Sequence, residues 1–232
     1  MKILITQSNY IPWKGYFDAI NSADICVLYD EMQYTKRDWR NRNKIKNPNG
    51  TQWLTIPVDV KGKYYQKINE AQVNNTNWGS EHWKAIAYNY KKTPFFEEIS
   101  TWLRPLYQTD LKYLSEINYL FIQAICDYLD IKTSIRWSSE FNLRGDKTEK
   151  LLNICLDLKA SCYYSGPAAK NYLDTTLFQH HNIEIEWLDY AHYPEYPQLF
   201  LPFEHGVSII DLLFNKGKDS IEYMKSFDTI KL

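Results

Sequence analysis

The sequence lacks any apolar run of the roughly 18 residues that a membrane-spanning helix needs. Its N-terminus lacks the charged, apolar and small-residue order of a secretory signal, so the expectation is a cytoplasmic chain with no membrane span. Glycine is sparse, 8 of 232 residues. Neither the Gly-x-x-x-x-Gly-Lys-Ser/Thr of a phosphate loop nor the Gly-x-Ser-x-Gly of a serine hydrolase elbow occurs. Only 4 cysteines are present, Cys26, Cys126, Cys155 and Cys162. No two form a Cys-x-x-Cys pair, and this excludes the usual zinc and redox motifs and points to reduced core residues. The chain also lacks a basic excess. A net charge of −1 predicts no general affinity for nucleic acid or anionic membrane.

Aromatic side chains are plentiful instead, at 16% of the chain with 19 Tyr and 8 Trp. Such residues fill cores, and they also line clefts that hold rings or sugars. Short apolar runs alternate with amphipathic segments. "KILITQ" (Lys2 to Gln7) and "ICVLYD" (Ile25 to Asp30) are separated by one helix length. "TSIRW", "SCYYSG" and "IEIEWLDY" read as later strands, with helices at "DKTEKLLNICLDL", "AAKNYLDTTLFQHH" and "VSIIDLLFN". The pattern predicts an α/β fold, a largely parallel sheet with flanking helices, as one domain over 1–232. Helices capped at Ser80 and Thr93, and a third from Asp110 to Leu129, make a helical insertion over about 79–130. "TQWLTIPV" and "QKINEAQV" read as two further strands, paired as a hairpin.

Ligands of an open parallel sheet bind outside the carboxyl ends of its strands, which ranks the loops. After the first strand comes "SNYIPWKGYF" (Ser8 to Phe17), whose Tyr10 and Trp13 offer flat surface while Gly15 lets the next helix start near a ligand. After the second comes "TKRDWRNRNKIK" (Thr35 to Lys46), where Lys36, Arg37, Arg40, Arg42, Lys44 and Lys46 face Asp38 alone. Guanidinium groups bind phosphate through paired donors, so this segment reads either as an anion site or as a solvated basic loop. Trp39, Asn41 and Asn43 within it favour the former. In "YYSGPAAKNYLD", Ser165, Gly166 and the start of a helix with Lys170 form a candidate anion site, or else a plain strand-to-helix turn. In "DYAHYPEYPQ", His192 and Asp189 are a candidate general-base pair, the alternative being a structural loop histidine.

Together "QSNYIPWKGYFDAI", "YDEMQYTKRDWRNRNKIKNPNGTQWLTIPV", "YYSGPAAKNYLD" and "SIIDLLFNKG" resemble the WbqC-like protein family, from Ile5 to about Gly217. The matching positions are Gln7, Tyr10, Pro12, Trp13, Gly15, the block from Tyr34 to Lys44, Ser165, Gly166 and Asp211. Members are associated with bacterial surface-polysaccharide (O-antigen) gene clusters. The resemblance implies a nucleotide sugar as small-molecule substrate and transfer of an acyl or aminoacyl group to an amino sugar. The opening strand, turn and helix are also similar to those of the HIGH-type adenylyl-transferring enzymes, but Trp13 and Tyr16 stand where histidines are expected.

The resulting expectation is a transferase in which Gln7, Tyr10, Trp13, Tyr34, Lys36, Arg37, Trp39, Arg40, Asn41, Arg42, Ser165, Gly166 and Lys170 bind substrate. His192 and Asp189 would move the proton, with no metal and no certain cofactor. A non-catalytic nucleotide-sugar-binding or scaffold protein is the alternative from another class. An amide ligase using ATP is a third reading.

Overall fold

The computed structural model describes residues 1–75 and 77–227. Position 76 and positions 228–232 of the expected domain lie outside them. Five parallel strands form the central sheet: β1 (Lys2–Thr6), β2 (Ile25–Leu28), β5 (Ser134–Trp137), β6 (Cys162–Ser165) and β7 (Glu184–Trp187). Their spatial order is β5-β2-β1-β6-β7. The chain therefore winds outward from β1 in one direction, then crosses back to start again on the other side of β1. The reversal falls between β1 and β6, the place where doubly wound sheets open a ligand crevice.

Strand residues alternate between two cores, as the period of two requires. Leu4, Cys26, Leu28 and Tyr164 pack on one face with Phe17, Ala19 and Ile20 of α1 (Lys14–Asn21). Ile3, Ile5, Val27 and Tyr163 pack on the other with Leu151, Leu152, Ile154 and Cys155 of α5 (Lys147–Asp157) and Phe178 of α6 (Thr175–His180). Helix α5 starts at a capping box, in which Asp146 accepts from the Glu149 amide (2.9 Å) and Glu149 accepts from the Asp146 amide (2.7 Å).

Between β2 and β5 lie an antiparallel hairpin, β3 (Arg42–Asn47) and β4 (Gly50–Thr55), and three helices, α2 (Trp78–Tyr90), α3 (Phe96–Leu106) and α4 (Leu114–Tyr128). These share the α1 face of the core, and α7 (Ile209–Lys216) closes that face. The mixed α/β architecture and the helical insertion agree with the sequence reading.

Several local expectations are corrected. The hairpin partner of the strand at Gly50–Thr55 is Arg42–Asn47, so half of the basic segment is strand, while "QKINEAQV" meets "TQWLTIPV" in an isolated antiparallel bridge, Val58 to Val73. Ile68 and Ala71, three apart and both fully buried, place "QKINEAQV" on a 3₁₀ turn at Ile68–Glu70. The helix expected through "AAKNYLDTTLFQHH" is a 3₁₀ turn, Pro167–Asn171, followed by α6, which restarts where Asp174 accepts from the Thr176 amide (3.0 Å). Ser80 lies inside α2, because Trp78 already packs into the core. Thr93 closes α2 by donating to the Tyr90 carbonyl (2.7 Å) rather than capping α3. Residues 111–113 precede α4: Val73 donates to the Lys112 carbonyl (2.9 Å) there and Gln72 bridges to Tyr113.

Candidate functional site

The loop joining β1 to α1 is held at almost every peptide. The Ser8 amide donates to Asp30 Oδ1 (2.8 Å), and the Tyr10 amide to the Trp39 carbonyl (3.1 Å). The buried Asn43 amide donates to the Tyr10 and Ile11 carbonyls (3.2 and 2.9 Å), and the Ile209 amide to the Pro12 carbonyl (2.9 Å). These bonds force Ile11 to φ +36°, a conformation a β-branched residue adopts only when its surroundings over-determine it. Backbone strain of this kind clusters at functional sites. In this loop Tyr10 is fully buried while its neighbour Asn9 lines the cleft.

Asn9 Oδ1 accepts from Arg40 Nη1. The Arg40 side chain is only 16% exposed, and desolvation holds its pKa below the usual value while Asp38, 3.8 Å away, opposes the shift. Its backbone is fixed from below. The buried Asn118 of α4 donates through Nδ2 to the Arg40 carbonyl (2.9 Å) and to Ser8 Oγ (3.0 Å). Ser115 of the same helix donates to Asp30. The insertion thus grips both the β1 loop and the arginine.

Over the carboxyl ends of β1 and β6 lies a cavity of about 490 Å³, within the range of small-molecule sites. Gln7, Asn9, Trp13, Tyr29, Arg40, Tyr163, Ser165, Gly166, Tyr172 and Tyr190 line it, with Lys147 from the first turn of α5. Among the described residues its charged walls are Arg40 and Lys147, both cationic, and no carboxylate lines it. A second chamber of about 330 Å³ adjoins it, lined by Asn9, Pro12, Trp13, Trp39, Asn43, His205 and Gly206. Asn9 and Trp13 belong to both and form the partition. The Trp13 ring folds back over Gly15, where an added Cβ would meet its carbons at 2.3–2.8 Å. Tyr190 and Tyr193 hold the same ring edge-on at 5.5 and 5.3 Å. Glycine at position 15 accordingly makes room for Trp13.

Of the residues singled out in the sequence, Gln7, Trp13, Arg40, Ser165 and Gly166 meet in the first cavity and Trp39 lines the second. Tyr10 does not offer a stacking face. It is fully buried, with its hydroxyl 2.8 Å from His82 Nδ1. Tyr34 is buried, Lys36 and Arg37 are exposed outside both chambers, and Asn41 donates to the Ile56 carbonyl (2.8 Å). The Arg42 guanidinium lies 4.1 Å from the Trp53 ring, and the Lys170 ammonium 5.4 Å from the Trp187 ring. The basic segment is therefore dispersed by strand geometry and delivers one guanidinium to the cavity. Gly166 caps the 3₁₀ turn Pro167–Asn171 rather than an α-helix, and α6 begins only at Thr175, so the helix start expected at Ser165–Gly166 is a single short 3₁₀ turn.

His192 and Asp189 are exposed and outside both chambers. Asp189 accepts from the Ala191 amide (2.9 Å) and pairs with Lys225 (3.5 Å). The sequence reading missed Asn9, Tyr29, Lys147, Tyr172 and His205. Lys147 and Tyr172 follow strand ends and could have been ranked by that position. Cys162 lies in the β6 strand, where burial pushes its thiol up to about 11 and leaves it protonated. Among the described residues no three His, Cys, Asp or Glu side chains converge to hold a metal ion, and no helix is long and apolar enough to cross a membrane.

The model of the WbqC-like protein family matches residues 7–223. A curated relative, "Uncharacterized protein Rv1507c" of Mycobacterium tuberculosis (strain ATCC 25618 / H37Rv), is 47% identical over 225 residues, covering 97% of each chain. No solved structure matches this chain.

Proposed function

The chain belongs to the WbqC-like protein family, and from that premise we propose that it binds a nucleotide-activated amino sugar and serves acyl or aminoacyl transfer in surface-polysaccharide assembly in the cytoplasm. One observation carries the reading: the cavity at the sheet reversal has two cationic side chains, no carboxylate, and a wall of tyrosines and one tryptophan. Arg40 is suited to a diphosphate, because a largely desolvated guanidinium gives charge-assisted donors in a fixed fork. Tyr29, Tyr172 and Trp13 supply faces for a base, and Ser165, buried at the rim of β6, supplies a hydroxyl.

Calorimetry with a panel of nucleoside diphosphates and nucleotide sugars tests this. Arg40→Ala is expected to lose about 1.5–3 kcal/mol of binding, tenfold or more in Kd. No binding by any member of the panel, or unchanged affinity in the variant, refutes the assignment. A second reading, non-catalytic binding within the same pathway, is favoured by His192 and Asp189 lying outside the cavity. It predicts nucleotide-sugar affinity that survives His192→Ala and no turnover with any acyl donor.

A further inference from the structure

Beyond Trp13 the cleft continues into the second chamber, whose walls differ in kind from those of the first. Two indoles, Trp13 and Trp39, stand with Pro12 and Gly206 around it, and Asn9, Asn43 and His205 supply the polar atoms. Asn43 is committed to the β1 loop through its amide and to the Lys44 amide through Oδ1 (2.8 Å). Asn9 Oδ1 is committed to Arg40, and its Nδ2 has no protein acceptor among the described residues. His205 Nε2 lies 4.0 Å from Glu195 Oε1, and the ring is braced edge-on against Phe203 at 4.6 Å. Among the described residues no lysine or arginine lines the chamber. It is unsuited to a phosphate and, at about 330 Å³, lies near the lower end of the range for small-molecule sites, ~300–1,000 Å³.

Flat indole faces beside one amide donor and one imidazole match a pyranose. The apolar C–H face of such a ring lies on an aromatic surface while its hydroxyl or amino groups take directional hydrogen bonds. We infer that the second chamber is a sugar subsite, with the ring between Trp13 and Trp39 and a ring substituent at His205. The inference rests on the nucleotide-sugar reading for its connection to the first cavity. Arg40, paired with Asn9 at the partition, then stands where the diphosphate links nucleoside to sugar. The two chambers read along the cleft as nucleoside, diphosphate and sugar. His205, not His192, is thereby the imidazole nearest the sugar.

The test separates the chambers with two variants at exposed residues, Trp39→Ala in the second and Tyr172→Ala in the first. Each is titrated by calorimetry with a nucleoside diphosphate and with the corresponding nucleotide hexosamine. Each is also probed by saturation-transfer NMR with a free methyl hexosaminide. Trp39→Ala is expected to leave the nucleoside diphosphate affinity unchanged and to abolish the additional affinity of the nucleotide sugar, together with the saturation-transfer signal of the free glycoside. Tyr172→Ala is expected to weaken the nucleoside diphosphate several-fold and leave the glycoside signal intact. Equal effects of Trp39→Ala on both nucleotides, or no effect on either, overturn the sugar assignment while leaving the nucleotide reading standing. If no nucleotide binds the wild type, that reading falls. The free glycoside then decides the chamber alone. A wild-type signal that disappears in Trp39→Ala supports the subsite, whereas a signal that persists in the variant, or none in the wild type, overturns it.

Discussion

Gly15→Ala sets two effects of opposite sign against each other. In a helix, alanine is favoured over glycine by up to about 0.8–1.0 kcal/mol, so an unencumbered first turn of α1 would be stabilised. At Gly15 the new methyl would lie 2.3, 2.5 and 2.8 Å from three carbons of the Trp13 ring, far inside van der Waals contact. The ring must leave its seat and lose its edge-on packing against Tyr190 and Tyr193. Each such pair contributes about 0.5–1.5 kcal/mol, so displacement costs roughly 1–3 kcal/mol before the helix gain offsets part of it. The expected net result is a destabilisation of up to about 2 kcal/mol. In a Trp13→Ala background the sign reverses, and Gly15→Ala stabilises by up to about 1 kcal/mol. Urea unfolding followed by far-UV circular dichroism, read as midpoints at constant slope, closes the double-mutant cycle. Stabilisation of equal size in both backgrounds would refute the seat of Trp13 on Gly15, and with it the partition between the chambers.

Burial pushes the His82 pKa down to about 4, the hydrogen bond to the Thr55 carbonyl opposing, against an ordinary 6.5. The unfolded chain binds the extra proton between these values, so the contribution is complete above pH 6.5 and is lost as pH falls towards 4. The change is at most about 3 kcal/mol, and it should disappear from the pH dependence of urea midpoints in His82→Gln; an identical acid slope in both proteins contradicts it. Asn118→Ala, which removes the donor to the Arg40 carbonyl and Ser8, should lower stability by about 1–3 kcal/mol and weaken diphosphate binding together. An unchanged unfolding midpoint would count against that network. At Gly79 an added Cβ would sit 2.0 Å from the Tyr107 carbonyl oxygen, which is backbone and cannot step aside. Gly79→Ala should lower the thermal midpoint despite the higher helix propensity of alanine, and a raised midpoint would show that α2 does not pack so closely there.

The sheet was legible because its strands are short apolar runs set at helix-length intervals, and a buried parallel strand tolerates little else. The ends of β1 and β6 were therefore placed correctly as loops over the sheet, and Gln7, Trp13, Ser165 and Gly166 came with them. The basic segment resisted sequence reading for a physical reason. Charge counts say nothing of direction, and the strand pairing of Arg42 and Lys44 against Thr55 and Trp53 sends their side chains to a tryptophan face instead of the cavity. The burial of Tyr10 and the placing of Asn9 in the cavity were likewise hidden, since both lie in an irregular loop held by the remote Trp39 and Asn43. Lys170 falls in the 3₁₀ turn Pro167–Asn171 with its ammonium over Trp187, because the helix expected as one run is broken before Asp174 caps α6.

The connection from β2 to β5 does topologically what a single crossover helix does in most parallel sheets. Here it carries Arg40, Trp39 and Asn118, whereas the sheet and its short loops carry Gln7, Asn9, Trp13, Ser165 and Gly166. The cleft thus has a floor from the sheet and a roof from the insertion, joined through Asp30, Asn118, Asn43 and Trp39. Trp39 and Arg40 of the roof lie outside the strands, so substitutions at these two positions are expected to alter the cleft walls while leaving the strand pairing intact. The remainder of the connection is core as well as roof, since Ile45, Leu54, Ile86, Ile99 and Phe121 share one buried cluster with Phe17 and Ile20 of α1.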